Sequence, residues 1–167
     1  MSKLEPPDTH CLSAAVGWLE LGNRAEAAAE LRQVRAAFAR HPDVLEVWYA
    51  IQSEEKNWPD ALKTAQALVD VEPDRASGWL NQAYALRRVP NGGLQSAWDA
   101  LLPAYHKFPD EPTIPYNLAC YACQLGQLDE AWRWLERATV AGGKKRIKQM
   151  ALKDSDLQPL WKKVAAL

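Results

Sequence analysis

The sequence predicts an all-α protein, built as a superhelical array of antiparallel helix pairs. Alanines recur in similar frames at spacings of 34, 36 and 34 residues, at Ala27, Ala61, Ala97 and Ala131. Prolines followed by aspartate occur in RHPD, VEPD and KFPD, and such a pair ends one helix and starts the next. Between these marks the apolar residues follow a helical period. No segment shows sustained alternation, so no strand is predicted.

The helix pairs are clearest in the last unit. Ile114, Leu118 and Tyr121 lie at helical spacing before Gly126, and a second apolar stripe begins at Leu128. This pattern predicts two amphipathic helices joined by a glycine turn. One such pair cannot cover its own apolar face, so neighbouring pairs are expected to stack through their alanines.

The stretch YNLACYACQLGQLDEAWRWLERA resembles the tetratricopeptide repeat, a helix-turn-helix unit of about 34 residues. Leu118 and Ala119 stand where that family has Leu-Gly, and Gly126 stands at its turn. Ala131 and Ala138 occupy its two small packing positions in the second helix. The first unit fits as well, whereas the second lacks the turn glycine.

The resemblance implies one domain over 1–167, with repeats at about 9–42, 43–74, 75–110 and 111–141. In the second repeat the small-residue position stays open between Tyr49 and Ala50. The C-terminal segment 144–167 is expected to form capping helices, because repeat arrays need an end that is apolar inside and polar outside. Its last helix has Asp154 or Ser155 as the predicted N-cap.

Composition argues against several classes of partner. The formal charge is only −1 with a pI near 6.3, and no basic surface of the kind that nucleic acid requires is predicted. No stretch is apolar enough to insert into a membrane, and the N-terminus lacks a secretory signal, so a cytoplasmic protein is expected. Three cysteines form no disulfide framework.

No enzymatic motif stands out, so we expect no catalytic activity, no cofactor and no metal. Cys120 and Cys123 form a CxxC pair, but no second pair or histidine spacing completes a zinc site. The pair is predicted to lie inside a helix as ordinary small residues. A thiol-based sensor is the alternative.

In tetratricopeptide proteins the first helix of each pair lines a concave groove that receives a peptide or a helix of a partner. The resemblance therefore implies a protein-binding scaffold or adaptor, with a secretion-type chaperone or self-association as alternatives. Leu12 and Val16 replace the Lys and Asn used to hold a chaperone's C-terminal carboxylate, so that function is not expected. The groove residues that the resemblance implies include Leu12, Val16, Glu20, Glu46, Glu54, Leu80, Tyr84, Arg87, Arg88, Tyr116, Cys120 and Gln124.

Two basic groups have a structural interpretation and a functional one. Arg87 and Arg88 stand beside Tyr84 in the predicted groove, but cations are also common at helix ends because they favour the negative end of the dipole. The run from Lys144 to Lys148 is either the solvated face of the cap or a site for an acidic partner.

Overall fold

The computed structural model describes residues 3–167, and within them it contains ten α-helices, two 3-10 helices and no strand. The chain divides into two compact units, unit 1 up to Ala85 and unit 2 from Leu86. The third predicted repeat, 75–110, runs across this boundary. The single-domain organisation over 1–167 therefore stays a prediction.

Unit 1 contains two complete helix pairs. Its helices are α1 (Asp8–Glu20), α2 (Arg24–Leu31), α3 (Pro42–Glu54), α4 (Trp58–Val71) and α5 (Ala76–Leu86), with a 3-10 helix at Ala36–Phe38. Helix α1 packs against α2, and α3 packs against α4 and on the first pair. The alanines predicted to mark close helix contacts, Ala27 and Ala61, are fully buried.

Unit 2 is organised around the last predicted repeat. Its helices are α6 (Leu94–Lys107), α7 (Thr113–Gln124), α8 (Leu128–Gly142), α9 (Lys144–Ala151) and α10 (Trp161–Ala165), with a 3-10 helix at Ser155–Leu160. Helix α7 packs against both α6 and α8, and α9 packs against α8. Ala97, Ala131 and Ala138 are fully buried, as their repeat positions predict.

The turn between the helices of a pair has the same geometry in both units. Gly22 and Gly126 adopt φ angles of 75° and 79°, and Lys56 adopts 58° at the corresponding place of the second repeat. Each turn is closed by a backbone hydrogen bond from the next residue, as in Asn57 N to Gln52 O at 2.8 Å. This is the left-handed helix cap that glycine favours. The second repeat thus has a complete turn without its glycine.

The position of the turn at Lys56 also defines the register of the second repeat. Counting seven residues back from the left-handed residue gives Ala15, Tyr49 and Ala119, and all three are buried. Ala50 is only half-buried. Tyr49 therefore takes the small-residue position, and the alternative that placed Ala50 there is wrong.

We expect Lys56→Gly to stabilise unit 1 by about 1 kcal/mol, because a side chain in the left-handed region costs about 1–2 kcal/mol. The matched change, Gly126→Ala, should lower stability by a similar amount for the same reason. Urea denaturation followed by circular dichroism measures both. If Lys56→Gly lowers the midpoint, its side chain makes a contact that outweighs the strain.

An ion pair between a buried carboxylate and an exposed arginine links the start of unit 1 to the segment after α2. The Asp8 side chain is fully buried, and its two oxygens accept hydrogen bonds from Arg35 N at 2.8 Å and Arg35 Nε at 2.7 Å. These side-chain and backbone hydrogen bonds hold the pKa of Asp8 below its ordinary value. The charged carboxylate therefore anchors the N-terminus of α1.

Candidate functional site

The structure places the predicted groove residues in both units. Those of unit 1 come from the first helices of its repeats, α1 and α3, and from α5. Those of unit 2 lie on α7 and immediately after α5. The residues in unit 1 are Leu12, Val16, Glu20, Glu46, Glu54, Leu80 and Tyr84, and those in unit 2 are Arg87, Arg88, Tyr116, Cys120 and Gln124.

In unit 1 these positions present apolar groups to solvent. Val16, one turn beyond Leu12 on α1, is 40% exposed, and Tyr84 near the end of α5 is 42% exposed. Tyr84 is also held from one side, since its ring meets the Trp58 ring edge-on with centroids 5.8 Å apart. Glu20 and Glu54 are exposed at the ends of α1 and α3, and Glu54 pairs with Arg24 Nη1 at 3.5 Å. The surface is thus apolar with an acidic margin.

Glu46 takes part in an ion-pair network inside unit 1. Its carboxylate accepts a hydrogen bond from the Ser77 hydroxyl and pairs with Arg75 Nη1 at 2.9 Å. The same guanidinium pairs with Asp43 at 2.8 Å and with Glu72 at 2.9 Å. Three carboxylates surround one cation, so this network leaves an excess of negative charge.

The formal charge of −1 is the sum of opposite formal charges on the two units. Residues 3–85 carry 8 Lys and Arg against 13 Asp and Glu, a formal charge of −5. Residues 86–167 carry 12 against 8, a formal charge of +4. Any electrostatic preference for a partner therefore differs in sign between the units.

In unit 2 the predicted groove residues contact the tail, residues 153–167. The Tyr116 hydroxyl donates to Asp154 Oδ2 at 3.0 Å, and the Arg87 guanidinium donates to both oxygens of Asp156. Gln124 Nε2 donates to the main-chain carbonyl of Asp156 at 3.0 Å, and Cys120 Sγ lies 3.6 Å from Asp154 Oδ2. We call Arg87, Tyr116, Cys120 and Gln124 the unit 2 site.

The tail buries Tyr116 and Cys120 of this site, whereas Gln124 stays exposed. Tyr116 is 6% exposed and Cys120 is 3% exposed, because the 3-10 helix of the tail packs on α7. Burial, followed by the charges of Cys120 and Asp154, raises the pKa of the Tyr116 hydroxyl. Hydrogen bonds to Asp156 raise the pKa of Arg87, which is therefore paired rather than simply solvated at a helix end. Arg88 beside it is half-buried.

The CxxC pair lies within α7, as its sequence context predicts. Burial, together with Asp154 and Asp156, raises the pKa of the Cys120 thiol, and burial likewise raises that of Cys123. A reactive cysteine needs a lowered pKa because the thiolate is the nucleophile. The environment of the pair therefore disfavours a thiol-based sensor.

Among residues 3–167, Cys120, Asp154 and Asp156 bring three potential metal-ligand atoms within 4.8 Å of one another. Asp156 is already paired with Arg87, and Asp154 accepts the Tyr116 hydroxyl. Both carboxylates therefore already have hydrogen-bond partners within the chain. The absence of a metal site stays a prediction.

The basic run at the start of α9 divides into two parts. Lys144, Lys145 and Arg146 are exposed, whereas Lys148 Nζ donates to the carbonyl oxygens of Ala165 at 2.7 Å and Leu167 at 3.1 Å. Lys148 therefore has a structural role, since it satisfies carbonyl groups at the end of α10. The other three form a solvated surface.

Three residues organise these surfaces through contacts that the sequence does not indicate. Asp156 and Arg75 carried no motif, and Asp154 was recognised only as a possible cap, which it is: its Oδ1 accepts Asp156 N at 3.0 Å. The local pattern indicated the cap. Nothing in it indicated that the capped segment lies against α7.

No helix within residues 3–167 is long and apolar enough to cross a membrane.

Comparison with known proteins places this fold among those of tetratricopeptide-repeat proteins. The crystal structure of MamA protein superposes with a TM-score of 0.72 at 17% identity, over 95% of this chain and 86% of that one. TTC0263, a thermophilic tetratricopeptide-repeat protein of Thermus thermophilus, gives 0.68 at 18% identity, over 96% and 100%. No family model and no curated protein sequence matches the chain. The identities are low, so these likenesses show the fold alone.

Proposed function

We propose that the chain is a protein-interaction module that binds an extended segment or a helix of a partner on unit 1, with no catalytic role. The surface in question is formed by Leu12, Val16, Glu20, Glu54, Leu80 and Tyr84, and we call it the unit 1 face. The exposure of Val16 and Tyr84 at repeat positions that face a groove in proteins of this fold is the observation that carries the proposal.

The chemistry of the unit 1 face suggests which partner segment would fit. Tyr84 offers a large aromatic surface that Trp58 supports, and tyrosine is enriched among residues that dominate binding energy. The exposed carboxylate of Glu20, with the formal charge of −5 on residues 3–85, favours a positively charged partner. We therefore propose a segment with apolar residues flanked by Lys or Arg.

The cellular setting that we propose is the cytoplasm. All three cysteines, Cys11, Cys120 and Cys123, are free thiols. Free thiols suit a reducing compartment. Self-association is an alternative that the same binding experiment separates, because the captured protein would then be the chain itself.

Val16→Arg should weaken capture of the native partner at least about tenfold, a loss of about 1.4 kcal/mol. The change removes an apolar contact and places a cation opposite a basic segment. Val140→Arg is the matched control, since Val140 is 87% exposed on α8 and lies outside the proposed face. Affinity capture from the native host, with the captured proteins quantified by mass spectrometry at low and high salt, measures the effect.

The parent and Val140→Arg should capture the same protein, and capture should fall with salt because the attraction is electrostatic. Equal capture by Val16→Arg and the parent would refute binding at the unit 1 face. Circular dichroism of each variant confirms that the helices are intact.

A further inference from the structure

We propose that the unit 2 site recognises a partner protein segment with an Asp-x-Asp sequence, and that residues 154–156 of the tail occupy it as an internal stand-in. The proposal concerns a second surface and does not depend on the unit 1 face. Its basis is the set of contacts that Arg87, Tyr116 and Gln124 make with the tail.

These contacts have the chemistry of peptide recognition. The planar guanidinium of Arg87 holds both oxygens of Asp156, the bidentate geometry that selects a carboxylate. The Tyr116 hydroxyl selects a second carboxylate two residues away, at Asp154. Gln124 binds the main-chain carbonyl of Asp156, a group that every peptide carries. Side chains thus specify two acids, and the main-chain contact fixes their direction.

The site occupies the helix positions that stay open in unit 1. Counted from the turn residue, Cys120 in α7 corresponds to Val16 in α1, since each lies six residues before its turn glycine. Val16 is 40% exposed, whereas Cys120 is 3% exposed. The covering tail accounts for the difference. In unit 2 the binding position of the repeat therefore already holds a segment.

The tail carries an apolar anchor next to the two acids. Leu157 is fully buried and Leu160 is 6% exposed, directly after Asp156. Partly buried ion pairs add little net stability compared with apolar packing, but an unpaired partner is costly. The apolar residues thus supply the energy, and the two acids determine which sequence fits. A competing segment needs the pattern Asp-x-Asp followed by leucine.

A peptide of residues 152–167 (LKDSDLQPLWKKVAAL) tests the proposal with the full chain. The tethered tail competes at an effective concentration in the millimolar range, so the parent should bind the peptide weakly. Asp154→Asn with Asp156→Asn in the protein weakens the tail and, because asparagine also caps helices, keeps the cap. This double variant should bind the labelled peptide at least about tenfold more tightly than the parent.

Two further variants identify the site. Arg87→Ala added to the double variant should abolish peptide binding. Arg133→Ala is the matched control and should leave it unchanged, because the Arg133 side chain is 67% exposed and pairs with the neighbouring Glu130 on α8. A peptide with both aspartates replaced by asparagine should not bind. Equal binding by the parent and the double variant, or binding that survives Arg87→Ala, would overturn the proposal.

A measurement on the parent protein tests the proposed peptide site even if the double variant fails to fold. Millimolar peptide should accelerate hydrogen exchange at residues 154–160, because it displaces the tail. Unchanged exchange with peptide in excess would overturn the proposal. Val16→Arg should leave all of these results unchanged, so failure here and failure at the unit 1 face are distinguishable.

Discussion

Leu157→Ala is expected to lower the free energy of unfolding of unit 2 by about 2–5 kcal/mol, the cost of a cavity at a buried leucine. Leu157 is fully buried where the 3-10 helix of the tail packs on α7. Removing its side chain takes away the apolar contact that holds the tail beside Tyr116 and Cys120. The tail is then expected to open more often than in the parent.

Leu152→Ala is the matched control, because Leu152 precedes the same segment but is 37% exposed. It should cost less than about 1 kcal/mol. Urea denaturation gives the change in free energy, and hydrogen exchange shows whether protection is lost first in the tail. Similar midpoints for the two variants would show that the tail is not anchored through Leu157.

Gly92→Ala should destabilise unit 2 by about 3 kcal/mol, a large effect for one methyl group. A Cβ at this position would lie 1.8 Å from Leu86 O and 2.8 Å from Val89 Cγ2. The same turn is closed by Gly93 N, which donates to Leu86 O at 2.9 Å. The methyl group therefore cannot be accommodated unless the backbone of the turn moves.

Gly17→Ala adds the same methyl group but is expected to stabilise the protein. Gly17 lies inside α1, and outside the adjacent backbone of that helix its added Cβ would meet no atom within 4 Å. Alanine is the better helix former by about 1 kcal/mol, so this variant should be more stable than the parent. Thermal denaturation of both variants tests the pair. A stabilising Gly92→Ala would show that the turn adopts another conformation in solution.

Much of the fold follows from local patterns in the chain. The alanine period predicts the buried contacts at Ala27, Ala61, Ala97 and Ala131, and the structure confirms them. The second repeat was harder to place, because Lys56 adopts a conformation that sequence rules assign to glycine. Packing of α3 on α4 stabilises the turn despite that cost, so the missing glycine gave no reliable signal.

The candidate sites were less predictable than the helices. Resemblance to a repeat family indicated which helix positions face a groove, but it treated Val16 and Cys120 alike. The resemblance also indicated no partner for Glu46. In the structure its carboxylate pairs with Arg75 and accepts a hydrogen bond from Ser77. The formal charges of −5 on residues 3–85 and +4 on residues 86–167 can be counted from the sequence. Only the unit boundary shows that they belong to two separate compact units.

The helix pairs, the glycine turns and the alanine packing positions follow from the local sequence, because they depend on residues close together in the chain. Which groove positions stay open depends on long-range packing instead. Asp154 and Asp156 lie more than thirty residues after Tyr116 and Cys120, and their contact depends on where the chain goes after α9. No local periodicity encodes that path. The tail therefore covers the unit 2 site through long-range packing.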